Sequence, residues 1–185
     1  GGLFHGLQLW VNLPAAQKMV SPAYQNLDAD QVKLFTTPDA GTLVRLIAGD
    51  IAGIQGPGST RTPIVMAHAT ILPGSQMVLP WNPAFNALAH VVKGSGFVGI
   101  DHHSFTVGQT AVFGTGDSIT LAASPHEALD VILLGGQPIG EPVEQYGPFV
   151  MNTREELQQA MDDYQRGRLG TVPSGGVQPY RGPRK

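Results

Sequence analysis

The sequence contains no cysteine, so disulfide bonds and thiolate metal or redox sites are excluded. Charged residues make up only 14% of the 185 residues and the formal net charge is −3, which favours neither nucleic acid nor an anionic membrane as a partner. The first residues lack the basic segment and apolar core of a signal peptide. No apolar run reaches the roughly 18 residues that cross a bilayer. These absences favour a soluble cytoplasmic protein, with the nucleus as an alternative compartment in a eukaryote.

Residues that favour turns are abundant: 24 glycines and 15 prolines are spread along the chain. The short apolar segments between them have the length and composition of strands. A further strand is predicted over residues 3–13, where Leu7, Leu9 and Val11 alternate with less apolar residues. The predicted fold class is mostly β, a sandwich or barrel. The other predicted strands span residues 31–35, 42–48, 64–72, 76–79, 87–93, 97–100, 109–113, 118–122 and 128–134.

One α-helix is predicted near the C-terminus, over residues 153–166. Residues 153–156 read Thr-Arg-Glu-Glu, the sequence of a capping box. Gly167 follows at the position where many helices end. Apolar residues recur at helical spacing and form one stripe, namely Leu157, Ala160, Met161 and Tyr164.

Several short motifs are explained better by structure than by chemistry. Residues 94–99 match the dinucleotide-binding pattern GxGxxG, but no helical pattern follows, so a hairpin turn is favoured. Neighbouring side chains on a strand point to opposite faces, so residues 101–103 (Asp-His-His) and the pair His126–Glu127 are interpreted as solvated. His68 and His90 lie within predicted strands and are interpreted as structural histidines.

The spacing of residues between Gly74 and Gly94 resembles the spacing in the first metal motif of cupins. In that motif two histidines two apart face into a small β-barrel, and a glutamate follows from the next strand. Here the ligand types are absent, because Pro80 and Asn82 occupy the histidine positions and Asn86 or Ala87 the glutamate position. A second frame begins at residues 116–117. It places Glu127, or His126 with a slip of one residue, at the last ligand position. We therefore expect no metal in this barrel.

Longer segments resemble the pirin family. Residues 2–14 (Gly-Leu-Phe-His-Gly-Leu-Gln-Leu-Trp-Val-Asn-Leu-Pro) are similar to the passage between the two cupins of pirins, and residues 18–19 and 22–25 continue the similarity. Residues 135–143 and 147–153 resemble the C-terminal signature of the family. The resemblance covers residues 1–170.

The resemblance implies a cupin jelly-roll barrel (a double-stranded β-helix) with one C-terminal α-helix. It assigns residues 1–14 to a strand of a first cupin that lies upstream, 15–30 to a linker, 31–144 to a degenerate second cupin and 145–170 to a C-terminal segment. Residues 171–185 are expected to form a flexible tail. Pirins hold iron in the first cupin, so no cofactor is expected in this chain.

The resemblance leaves three functions open. The first is a structural, non-metal-binding module beside the iron cupin, whose partner would be that first cupin or a second copy of the chain. The second is part of a quercetin 2,3-dioxygenase whose catalytic residues lie upstream, since several pirins have that activity. Animal members of the family act as nuclear transcription cofactors. The third is a metal-free barrel that binds a small molecule. For the second function the candidate wall residues are Gln8 and Trp10, with His5, Leu7 and Leu9 as the alternative face of the first strand. For the third function they are Trp81, Phe85 and His90.

Overall fold

The computed structural model describes residue 2 and residues 4–170. Within these residues the chain divides into two units. The larger comprises residues 24–139, and the smaller combines residues up to 23 with those from 140 onward. The tail predicted for residues 171–185 lies outside the described residues.

Alternating apolar and turn-forming segments of the larger unit fold into twelve strands. Eight run along the first part of the unit: β1 Lys33–Thr36, β2 Thr42–Ala48, β3 Asp50–Ile51, β4 Ile54–Gln55, β5 Ile64–Ile71, β6 Gln76–Pro80, β7 Asn86–Lys93 and β8 Ser95–Val98. Four follow: β9 His103–Thr106, β10 Thr110–Val112, β11 Ser118–Ala123 and β12 Leu129–Gly136.

Two antiparallel sheets enclose the core of the larger unit. One has six strands in the order β1-β2-β5-β12-β7-β10, and the other has four in the order β6-β11-β8-β9. Buried and less buried residues alternate along β2 and β5, so one face of each strand points inward. The inward side chains form one apolar cluster, which includes Leu46, Ile71, Met77, Leu121 and Leu133.

The predicted fold class is confirmed: the chain is mostly β, with one α-helix near the C-terminus. All nine strands predicted between residues 31 and 134 are present, with ends that move by at most two residues. The prediction missed the β3–β4 hairpin, whose strands have only two residues each, and β9. Both segments are too short or too polar to show a strand period.

The smaller unit contains a 3₁₀ turn at Ala15–Gln17, strands β13 Glu144–Tyr146 and β14 Phe149–Met151, and helix α1 Arg154–Gln165. The strands form an antiparallel hairpin. The capping box is confirmed: the Thr153 hydroxyl accepts from the Glu156 amide at 3.2 Å, and the Glu156 carboxylate accepts from the Thr153 amide at 3.1 Å.

The strand predicted over residues 3–13 is not formed in the part of the chain that the structure describes, and its assignment to an upstream cupin stays a prediction. Residues 4–13 have no regular secondary structure. Alternation of apolar residues gives a strand only when a neighbouring edge supplies the hydrogen-bond ladder, and none of the described strands pairs with this segment.

No α-helix among the described residues is long and apolar enough to cross a membrane.

Candidate functional site

The first motif frame lies on β6 and the turn that follows it. Met77, Leu79 and Trp81 are buried in the core. The side chains of Pro80 and Asn82 are exposed. The positions that face the barrel interior therefore lie one residue before the expected ligand positions, and the expected assignment of Pro80 and Asn82 to the interior is wrong. The interior carries an aliphatic and an indole side chain at this point, neither of which is a ligand for iron.

The remaining expected ligand positions lie far apart. Asn86 is exposed and pairs with Gly136 at the last residue of β12, whereas the next residue, Ala87, is buried. Glu127 lies two residues before the first residue of β12 and accepts a hydrogen bond from the Ser95 hydroxyl at 2.6 Å. Because a strand rises about 3.3 Å per residue, the seven steps along β12 separate these ends by about 23 Å. Within residues 4–170, no group of three His, Asp or Glu side chains is placed to hold a metal ion.

A cleft of about 530 Å³ opens at the end of the larger unit where β6 ends and β5 begins. One wall is the loop between β2 and β5, and the other is the turn between β6 and β7. The cleft is lined by apolar groups, including Trp81 and Phe85, and by the polar side chains of Asp50, Gln55, Thr60 and Asn82.

The structure brings together only two of the five candidate wall residues. Trp81 and Phe85 both line the cleft. His90 lies on the outer face of β7, where its Nδ1 atom is 2.8 Å from the Thr110 hydroxyl. Gln8 and Trp10 belong to the smaller unit, in which both are exposed.

Glycines in β12 and in the loop shape the cleft. At Gly135 a Cβ atom would lie 2.6 Å from Cζ2 of Trp81, so the indole fits because this position has no side chain. At Gly56 a Cβ atom would lie 2.7 Å from the Ala48 backbone nitrogen. The loop backbone therefore packs directly against the end of β2, and the Gly56 amide donates to the Gly49 carbonyl at 2.8 Å.

The indole N–H of Trp81 has no hydrogen-bond partner among the described residues, although Trp81 is only 7% exposed. An unpaired buried donor costs about 1–3 kcal/mol, and such groups are uncommon in folded proteins. The N–H of Trp81 is therefore enclosed by the packing at this end of the barrel and carries the cost of an unpaired donor.

A chain of polar side chains crosses the outer face of the six-stranded sheet. The Arg45 guanidinium donates to the Thr70 hydroxyl at 3.0 Å, and Thr70 donates to the Asp130 carboxylate at 2.6 Å. Nε2 of His68 lies 3.3 Å from the same carboxylate oxygen. Burial and the positive charge of Arg45 lower the pKa of His68, and Asp130 opposes that shift. In the sequence this cluster is visible only as polar residues within three apolar strands, which does not indicate that they meet.

A second concave surface lies within the smaller unit. This groove, of about 500 Å³, is lined by side chains of residues 10–19 and of the β13–β14 hairpin, among them Trp10, Met19 and Phe149. The Lys18 ammonium donates to Asn12 Oδ1 at 2.6 Å and to the Val150 carbonyl at 3.0 Å, which connects the two walls. Trp10 is 74% exposed, and Val11 and Met19 are exposed as well.

The two-sheet barrel and its C-terminal helix define a cupin. Residues 66–170 match the family model described as the Pirin C-terminal cupin domain. The chain belongs to the pirin family, as the resemblance implied.

Curated relatives include Pirin-1 of Arabidopsis thaliana, 38% identical over 169 residues that cover 90% of this chain and 58% of that protein. Pirin of Homo sapiens is 35% identical over 168 residues, which cover 90% of this chain and 57% of that protein. A solved structure of quercetin 2,3-dioxygenase from Acinetobacter baumannii aligns with a TM-score of 0.80 and 32% identity. The alignment covers 88% of this chain and 56% of the chain of the dioxygenase. The chain thus spans somewhat more than half the length of these relatives.

Proposed function

We propose that this chain is a non-metal-binding cupin module with a structural and interaction role beside the iron-binding cupin of a pirin. The observation that carries the proposal is the barrel interior. Leu79, Trp81 and Ala87 occupy the inward positions of the first motif frame and are buried in an apolar core. Iron needs imidazole or carboxylate donors that converge on one point, and an aliphatic core offers none.

The groove of the smaller unit supports the interaction role. A contiguous apolar surface that includes an exposed tryptophan is typical of an interface. The relatives extend well beyond the matched region, which leaves room in them for the upstream cupin of this proposal. We propose that this iron cupin packs on the groove formed by Trp10, Met19 and Phe149.

Iron binding by the isolated chain tests the proposal that this cupin holds no metal. The chain is incubated anaerobically with excess ferrous iron, desalted and analysed for metal content. We expect far less than one iron per chain. The exposed pair His102 and His103 offers an adventitious site, so His102→Gln/His103→Gln is the matched control and should remove any weak residual binding. One tightly bound iron per chain in both proteins would refute the proposal.

A second candidate function is part of a quercetin 2,3-dioxygenase whose catalytic residues lie upstream. The observation in its favour is the 0.80 TM-score and 32% identity to a protein of that name. Here the iron would activate flavonol and oxygen in the first cupin. This chain would supply only supporting residues, with Gln8 and Trp10 as candidates.

The two candidates differ in an oxygen-dependent quercetin assay on the full-length parent protein and on this chain alone. An active parent with an inactive chain supports the dioxygenase assignment. An inactive parent that holds iron supports the structural module. Activity of the chain by itself would contradict the assignment of the catalytic residues to an upstream domain.

A further inference from the structure

We propose that the cleft between the β2–β5 loop and the end of β6 binds a small neutral or cationic aromatic molecule. This goes beyond the proposed structural role, because it assigns a ligand to a barrel end that needs no metal. The cleft volume of about 530 Å³ falls in the range of small-molecule sites.

The shape of the cleft is fixed before any ligand binds. The Gly56 amide donates to the Gly49 carbonyl and the Gly58 amide to the Ile47 carbonyl, both at 2.8 Å. A Cβ atom at Gly58 would lie 2.8 Å from the Ile47 carbonyl oxygen. This wall is therefore held against β2 at van der Waals distance, and a ligand need not order a free loop.

The apolar residues of the lining favour a ligand with an aromatic ring. Trp81 and Phe85 contribute aromatic surface, and Pro63, Ile64 and Pro80 add apolar atoms around it. A flat ring gains from such a surface by apolar burial and by contact between aromatic groups. A small, fully hydrated ligand would gain little from it.

The lining also selects by charge. Asp50 is the only charged residue that lines the cleft in the described part of the chain, and no Lys, Arg or His is among the lining residues. One carboxylate oxygen of Asp50 accepts from the Gly53 amide at 2.9 Å, which fixes the side chain at the rim. A carboxylate therefore meets a cation or a neutral donor favourably and an anion unfavourably. Asn82 accepts from the Ala84 amide through Oδ1 at 2.9 Å, so its NH₂ group remains to donate.

The indole of Trp81 supplies a reporter for the cleft. Its N–H is buried and has no hydrogen-bond partner among the described residues, while the residue itself lines the cleft. A ring that binds against the indole changes the environment of this N–H without bonding to it.

Three probes of similar shape and different charge test the proposal on the full 185-residue chain. They are tyramine (cationic), 4-ethylphenol (neutral) and 3-(4-hydroxyphenyl)propionate (anionic). The readout is the ¹⁵N–¹H NMR signal of the Trp81 indole. The chain has two tryptophans, so Trp10→Phe assigns this signal.

We expect saturable shifts of the Trp81 indole and of amides in residues 49–56 with tyramine and with 4-ethylphenol. Tyramine should bind roughly fivefold more tightly than 4-ethylphenol, as one partly exposed ion pair provides. The anionic probe should cause no saturable shift at equal concentration.

Asp50→Asn should remove the advantage of tyramine and leave 4-ethylphenol unchanged. Asp101→Asn is the matched control, since Asp101 is exposed and does not line the cleft. A well-dispersed spectrum of each variant verifies its fold. The proposal is overturned if no probe shifts the indole at millimolar concentration, if all three bind equally, or if Asp50→Asn has no effect on tyramine.

Discussion

At the residue scale, the histidines show how far sequence could identify roles. His68 and His90 were both interpreted as structural because each lies within an apolar strand. The structure places both on the outer face of one sheet, each beside a hydrogen-bonding partner. What the sequence could not show is that His68 is next to Arg45 and Asp130, because that contact depends on the register of β2 and β12 on β5. Neighbouring strands are set by topology, which local periodicity does not encode.

His68 predicts a dependence of stability on acid. Its pKa is lower in the folded protein than the ordinary value of 6.5, so the unfolded chain takes up a proton first as the pH falls. The stabilising contribution is present above pH 6.5 and decreases as the pH falls from there through the lower folded pKa. We expect His68→Gln to show a shallower loss of stability below pH 6.5 in urea unfolding. His90→Gln, on the same sheet face, is the control, and an unchanged slope for His68→Gln would contradict the prediction.

At the element scale, the sequence predicted long regular segments well and isolated ones poorly. Helix α1 could be predicted because the capping box and the apolar stripe indicate the same segment. The structure buries Leu157 and Ala160 of that stripe. The strand predicted over residues 3–13 had a clear pattern but no partner strand among the described residues. The ligand positions that the cupin motif predicted on β6 are displaced by one residue for a related reason. A spacing of residues gives the order of ligand positions, but a shift of one residue on β6 moves every side chain to the other face.

The capping box at Thr153 and Glu156 predicts how the stability of helix α1 depends on one hydroxyl group. Replacing Thr153 with alanine removes the acceptor for the Glu156 amide and should destabilise helix α1 by about 1 kcal/mol. Amide hydrogen exchange along Arg154–Gln165 measures the change. Thr153→Ser keeps a hydroxyl and should retain the protection of the parent chain. Equal exchange rates in the alanine and serine variants would show that the cap contributes nothing.

At the scale of the whole molecule, fold class and family were readable from sequence, because both depend on many weak features that agree. Function was not, since it depends on surfaces whose partners are other molecules. The groove of the smaller unit and the cleft of the larger unit are both formed by residues distant in sequence. The sequence indicated Trp10, Trp81 and Phe85 as wall residues and Pro80 and Asn82 as ligand positions, but it did not indicate Phe149 or Asp50.

The exposed apolar groove of the smaller unit predicts that this chain associates with itself when it is alone. An exposed apolar surface is covered by whatever complementary surface is available, so the chain alone should form dimers or larger species as its concentration rises. Size-exclusion chromatography with light scattering over a dilution series measures this. Trp10→Ser/Met19→Ser should shift the chain toward monomer, with Val112→Ser, an exposed residue of the other unit, as control. A monomer at every concentration in the parent chain would contradict the prediction.

The packed interior at Leu79, Trp81 and Ala87 also bears on how this barrel can evolve. Replacing these residues with histidine and glutamate would place ionisable groups in a core built around an indole, where each costs several kcal/mol until a metal arrives. Gly135 lies against that indole, so a smaller residue at position 81 would open a void beside it. Each such replacement alone would lower stability before it created any chemistry. The filled interior therefore makes the barrel centre a costly place for a metal site, whereas substitutions at the exposed rim disturb the core less.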